Sequence, residues 1–255
     1  MRPIKAVAMA TIKEGIRDKV FLNLLVFGSL LVLASILIGE LSIGQREKFM
    51  KDIGLASISL IGALTAILLS TGSIRRELER RTIYSMLYRP IRRWKYLLGK
   101  YLGVCAVVGL DVFLMSAVFA GVLLLRGYSL HLGLLKAILL TYIGLALIAS
   151  VGILFSLLAS STLSVLFTGA IYAAGHMSVE LKEMGAASKE ALTRLLSKAI
   201  YYVLPNLGAL DVRGEAAYGL PIDNLLVLRL AIYGLAYAGL IVIAASVIFE
   251  RRELG

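Results

Sequence analysis

The chain has little of what a disulfide-built domain or a soluble enzyme requires. It holds one cysteine, Cys105, inside an apolar run, so an intramolecular disulfide and a cysteine metal cluster are both excluded. Its two histidines, His131 and His176, stand far apart in sequence without ligand-spaced partners. Only 17% of residues are charged, against about a quarter in soluble domains. No phosphate loop of the form G-x-x-x-x-G-K-[ST] occurs, because Gly99-Lys100 is followed by Tyr101 and enters an apolar run. The chain is therefore not expected to bind or hydrolyse ATP. No nucleophile–base pair, His/Glu metal motif or carboxylate dyad stands within the apolar runs, so catalytic, cofactor-binding and metal-binding residues are all expected to be absent.

What is abundant is apolar. Hydrophobic residues make up 59% of the chain and its mean hydropathy is +0.88, values of an integral membrane protein with no sizeable soluble domain left over. The expected fold is all-α, a single transmembrane domain over residues 1–255. Six runs have spanning length: about Val20–Gly39, Ile53–Ser73, Tyr101–Leu125, Leu134–Ser160, Leu163–Val179 and Leu225–Phe249. Continuous runs of this kind are helical in lipid. The third and fourth exceed the minimum and are expected to tilt or to extend beyond the bilayer. Val20–Gly39 is too long for the apolar part of a signal peptide and reads as a retained span. Glycines at 62, 109, 121, 144, 152, 169, 234 and 239 put small residues inside spans, and Gly99-x-x-x-Gly103 suits close helix approach.

The net charge of +11 sits at the ends of the apolar runs, which points to topology and anionic lipid rather than to nucleic acid. Placing the N-terminus in the cytoplasm puts 16 of the 27 Lys/Arg on the inner side, in the denser clusters. Both termini are then cytoplasmic and the protein is multi-pass in the inner or plasma membrane. Residues 1–19 read as an in-plane elbow helix, with Ile4, Val7, Ala8, Ile12, Ile16 and the adjoining Val20 on one face and Lys5, Lys13 and Arg17 on another. Residues 180–224 form the long outer segment. Within it Leu192, Leu195, Leu196, Ala199, Ile200 and Val203 make an amphipathic helix ended by Pro205, and Asn206–Asn224 reads as an irregular external loop.

The most patterned stretch is Arg75–Lys100, with nine Lys/Arg against Glu77 and Glu79. A charged helical start at Arg75–Arg81 gains an apolar face from Ile83, Met86 and Leu87. Pro90 then breaks it and restricts Arg89. Trp94 and Tyr96 suit the headgroup level. On periodicity alone, residues 74–97 read equally as a lipid-anchored basic hairpin or as a lever that docks into a partner protein.

The stretch Glu77–Gly103 resembles the core of type-2 ABC-transporter permeases, most closely the branch that includes the permease of nitrous-oxide-reductase maturation. The matching features are Glu77 and Glu79, Thr82, Arg89-Pro90-Ile91 with Arg93, and Gly99-Lys100 with Gly103. Leu204-Pro205-Asn206, Tyr218-Gly219 and Phe249-Glu250-Arg251-Arg252 continue the similarity. The resemblance implies an elbow helix, six spans, and re-entrant helices between spans five and six. It also implies a coupling helix that enters a cleft on a separate ATP-binding subunit, which would hold the ATP and magnesium. The residues it assigns to that contact are Glu77, Glu79, Arg80, Arg81, Thr82, Ile83, Tyr84, Leu87, Arg89, Pro90 and Arg93. Two permeases, identical or different, and two ATPases would form an exporter.

Three other positions are candidates for a pathway or gate. Asp111 lies mid-span, where an ionisable group is costly; the competing reading is a carboxyl that supports helix packing. His176 and Glu180 lie near the outer end of span five, as gate or as interfacial polar cap. Tyr142, Tyr172, Tyr233 and Tyr237 suit an amphipathic pathway or ordinary packing. Two further functions compete with the exporter subunit: a stand-alone secondary transporter or channel, and a non-transporting membrane scaffold. Paired intramembrane charges or broken helices would favour the transporter, and Asp111 alone supplies neither.

Overall fold

Backbone amides and carbonyls have no partner in hydrocarbon except one another, and long apolar runs accordingly close on themselves as helices. The computed structural model describes residues 2–41, 45–79, 92–178, 183–184, 194 and 204–251; among them there is no strand. In chain order the elements are α1 (Arg2–Arg17), α2 (Lys19–Leu41), α3 (Arg46–Glu79), α4 (Arg93–Leu125), α5 (Leu132–Leu158) and α6 (Ser161–His176). A 3-10 turn at Gly208–Leu210, α7 (Arg213–Ala217) and α8 (Asn224–Arg251) follow.

Five helices, α2, α3, α4, α5 and α8, are long and apolar enough to cross a membrane, which makes this a multi-pass membrane protein. The expected fifth span is shorter than its apolar run. It forms the 16-residue α6, about 24 Å long against a hydrocarbon core of about 30 Å. The helix stops where the incoming chain meets it: a Cβ on Gly175 would stand 2.8 Å from the Pro205 carbonyl, and Leu207 N–H donates to the Gly175 carbonyl at 3.0 Å. At its start, the Ser164 hydroxyl donates to the carbonyls of Phe155 and Ser160 at 2.9 and 2.8 Å, closing the turn from α5. The second span departs in the other direction, since α3 runs 34 residues from Arg46 and continues past Ser73 to Glu79 without a break.

The centre of the bundle is α3 against α5. Ile58, Ile61 and Ala66 face inward from one, Leu140, Leu147 and Ile148 from the other, and all are fully buried. The glycine expectation holds at Gly62, Gly152 and Gly234, where a Cβ would collide with Leu145, Ser70 and Ile143, but Gly121, Gly169 and Gly239 face open space. α2 lies outside, with Leu22, Val26, Leu30, Leu33 and Leu37 exposed along one stripe. Such a stripe is what lipid contact requires of a peripheral span.

Two glycines end helices by adopting the left-handed region. Gly127 (φ +74) follows α4, with Tyr128 N–H bonded to Leu123 O and Gly127 N–H to Leu124 O. Gly219 (φ +69) ends α7 with the same pair of bonds, to Glu215 O and Ala216 O. This double bond satisfies helix-terminal carbonyls that water or lipid would otherwise have to satisfy.

The stretch expected to be an irregular external loop is instead a wedge. Leu207, Leu210, Val212, Ala216 and Ala217 are buried in the hydrophobic core at the end of the bundle opposite α1. Small residues at Ala216 and Ala217 let α7 sit close to α3 and α5. The outer amphipathic stripe of Leu192–Val203 lies outside the described residues.

The first helix turns into the second at Asp18, whose carboxylate accepts the Val20 N–H at 2.9 Å and caps α2. α1 packs along α4 rather than standing apart from the bundle. Its Val7 meets Gly99, its Thr11 meets Gly103, and its Gly15 meets Val107. The contact advances along both helices together, so they run side by side in the same direction. The buried face is therefore Val7–Thr11–Gly15, while Ile16 is exposed. A Cβ on Gly103 would meet Thr11 and lie 3.0 Å from the Ala8 carbonyl. Gly103→Leu should accordingly lower stability by about 1–3 kcal/mol, an overpacking cost, while Gly121→Leu, which points into open space, should not. Thermal unfolding in detergent measures both, and an equal shift in the two variants refutes the seat assigned to α1.

Candidate functional site

At the α1 end, the basic stretch is mounted between α3 and α4. Glu77 and Glu79 lie on the last turns of α3, where the backbone course alone is described. Arg80, Arg81, Thr82, Ile83, Tyr84, Leu87, Arg89 and Pro90 lie outside the described residues. The chain is described again from Arg92, and Arg93 opens α4 with a specific task. Its guanidinium donates to the carbonyls of Phe249 and Glu250, both at 3.1 Å, on the final turn of α8. A cation at a helix C-terminus meets both the unpaired carbonyls and the negative end of the dipole. The Phe249 ring lies 6.0 Å from that guanidinium and 6.1 Å from the Tyr96 ring. The first turn of α4 is thereby clamped to the last turn of α8.

One turn further along, Lys100 is 2% exposed. Its ammonium donates to the Ser73 carbonyl at 3.3 Å and lies 3.7 Å from Glu14 Oε2. It thus touches α3 and α1 from α4.

Asp111 is fully buried in α4. It lies close to Thr65 of α3, yet neither its carboxylate oxygens nor the Thr65 hydroxyl have a hydrogen-bond partner among the described residues. No basic side chain among the described residues pairs with it.

The opposite end gathers polar groups that are scattered in the sequence. His176 lies against Tyr172 with the rings tilted 57° and their centroids 4.5 Å apart, and its Nδ1 donates to the Tyr172 carbonyl at 3.1 Å. Both line a crevice with Ser59, Thr141, Asp211 and Arg213. Arg213 binds Asp211 through Nε at 2.6 Å and through Nη2. Burial pushes the Asp211 carboxyl up, but Arg213's hydrogen bonds and charge outweigh it, and His176 adds to them. The carboxyl is held below the usual carboxylate range. A second, open hollow on the same pair is lined by Asp52, Glu215 and Leu220. Glu180 lies outside the described residues. The tyrosines serve packing and hydrogen bonding: the Tyr233 hydroxyl accepts the Asn206 N–H at 2.9 Å, and the Tyr142 hydroxyl donates to the Cys105 carbonyl at 3.3 Å.

Three features here escape sequence reading. Lys51 is 2% exposed; it pairs with Glu47 and approaches His131 Nδ1 at 3.5 Å, while His131 Nε2 lies 3.0 Å from the Ala216 carbonyl. No spacing rule foretells a contact across 80 positions. Lys100 was visible only as part of a Gly-Lys dipeptide. Asp211-x-Arg213 is a local pair that attention to outer-segment charge could have found.

Helices of spanning length, a basic mount at one end and a wedge at the other describe a membrane component without a catalytic centre among the described residues. The model of the ABC-2 family transporter protein matches residues 5–254. The chain belongs to the ABC-2 transporter family. None of the curated proteins compared with it is a match. An ABC-2 protein is the membrane component of a transporter, not the catalyst, and the family as a whole works with an ABC ATPase.

Two outcomes follow from the buried acids. An orphaned buried carboxyl costs about 1–3 kcal/mol, so Asp111→Leu should raise the unfolding temperature and Asp111→Asn should leave it near the wild type. A loss of stability in both variants would mean that Asp111 is engaged. Asp211 has a lowered native pKa, so its contribution is complete above the ordinary carboxylate range and is lost only as pH falls below it. Asp211→Asn should cost about 1.5–3 kcal/mol, equally at pH 5 and pH 8. A penalty that appears only at pH 8 contradicts the pairing.

Proposed function

We propose that this ABC-2 protein is the permease subunit of an ATP-driven exporter in the cell membrane, moved by ATP hydrolysis on a separate subunit. The observation that carries the reading is the family match over residues 5–254 together with a basic segment mounted on tied helix ends. In this reading residues 80–91 are the coupling segment that enters the ATPase, with Glu77, Glu79 and Arg93 at its edges. α1 is the elbow helix, set along α4 rather than in the plane of the membrane, and α6 is the fifth of six crossings and the shortest. α6 starts at the α1 end and meets the wedge at the other, so both described termini lie at one end of the bundle. The density of Lys/Arg at that end makes it the cytoplasmic one. A second permease copy completes the pathway, and anionic lipids cover the basic rim. ATP and magnesium belong to the partner subunit.

Nucleotide-driven closure of the ATPases would then bias the bundle between two packings. The test is co-purification with the ATPase encoded nearby. Arg80→Glu with Arg81→Glu should reduce recovered ATPase at least about tenfold, the loss expected from ~1.4 kcal/mol of interface energy. Full recovery of the ATPase with this double reversal sinks the docking assignment.

A further inference from the structure

Lys100 does more than its place in a Gly-Lys dipeptide indicates. It stands between the two glycines on which α1 is seated: a Cβ on Gly99 would lie 2.8 Å from Val7, and one on Gly103 would strike Thr11. These glycines bring the α1 backbone against α4 on either side of the intervening side chain. Lys100 is buried in the space so formed, at 2% exposure. Its ammonium reaches the Ser73 carbonyl of α3 at 3.3 Å and the Glu14 carboxylate of α1 at 3.7 Å. Ser73 and Lys100 are also the two flanks of the basic segment. One amine therefore ties both roots of that segment to each other and to α1.

Burying an ammonium is costly, and a hydrophobic side chain of the same volume serves packing as well or better. A lysine here is thus poorly explained by stability. It is well explained by registry, because an ammonium hydrogen-bonded to one helix's carbonyl and ion-paired with another's carboxylate fixes three helices against sliding in a way that apolar contact does not. Arg93 extends the tie to α8 by holding the Phe249 and Glu250 carbonyls.

We propose that Lys100 is a positioning residue for transport, a pin that makes α1, the end of α3 and the start of α4 move as one body when the segment between them is pushed. This rests on the reading of residues 80–91 as the ATPase contact, and the experiment separates the two. In lipid nanodiscs, amide hydrogen exchange is followed for the permease alone and for its complex with the ATPase, with and without vanadate trapping, in wild type, Lys100→Met and Lys100→Arg.

In the permease alone, Lys100→Met should make α1 amides exchange at least about tenfold faster while α5 stays protected, and Lys100→Arg should keep α1 protected. In the complex, ATP turnover of Lys100→Met should stay within about twofold of wild type, while the vanadate-dependent change in α1 protection disappears. Unchanged α1 exchange in Lys100→Met overturns the pin whatever the partner does. A loosened α1 that still responds to vanadate also overturns it, leaving Lys100 a mere fastener. If α1 loosens as expected but no ATPase binds the wild type, the docking reading falls and the tie among the three helices stands.

Discussion

A charge taken out of water must find a counter-group, and both ends of this bundle are organised around that requirement. Lys100 at one end and Lys51 at the other are each 2% exposed, and each is met by a carboxylate and by a second group from a different part of the chain. Apolar helices in lipid have little to fix their register, since hydrocarbon packs against leucine as well as leucine does. The polar ties at the ends supply what the apolar middle lacks. Glu40 does the same at the end opposite α1, bridging Arg46 at 2.9 Å and Arg126 at 2.6 Å and so joining three helix ends.

Between those ends, the interior is held by shape. Glycines on α3, α5 and α8 receive branched or polar side chains from their neighbours, which permits close packing without directional bonds. Asp111 and Ser116 of α4 and Thr65 of α3 are the exceptions, buried polar groups without hydrogen-bond partners among the described residues. The bundle is therefore tied by polar contacts at its ends and carries, in its middle, buried polar groups without partners among the described residues. Under the coupling proposed above, a bundle that exchanges one packing for another is served by that distribution, because packed interfaces switch between discrete arrangements rather than deform continuously.

Much of this was legible in the sequence. Five of six apolar runs became helices of spanning length, because hydropathy over about 20 residues is decided by the solvent and not by tertiary contacts. The small residues Gly99 and Gly103 announced a close approach, although not that α1 would be the helix approaching. α6 fell short because its last turn is captured by Pro205 and Leu207, a contact between segments 30 residues apart that local hydropathy does not register. The wedge was misread as a loop because Gly208, Gly214 and Gly219 signal turns, and only tertiary packing reveals that Leu207, Leu210 and Val212 are core. The apolar helix face expected on α1 turned by one position, since Thr11 and Gly15 fit α4 more closely than Ile12 and Ile16 do. Ionic partners across the bundle carried no local signal at all.

The wedge also constrains how the protein is made. The surfaces that receive it, on α3 and α5, emerge from the ribosome long before residues 204–222, and α8 emerges after it. With the α1 end in the cytoplasm, as proposed, the Asp211–Arg213 pair passes the bilayer after the helices that precede it have been made and before α8 can anchor it. Carrying the two charges as a hydrogen-bonded couple lowers the cost of that passage relative to carrying either alone. The pair that seals the finished bundle is, during synthesis, the chemistry that lets its own segment be threaded across.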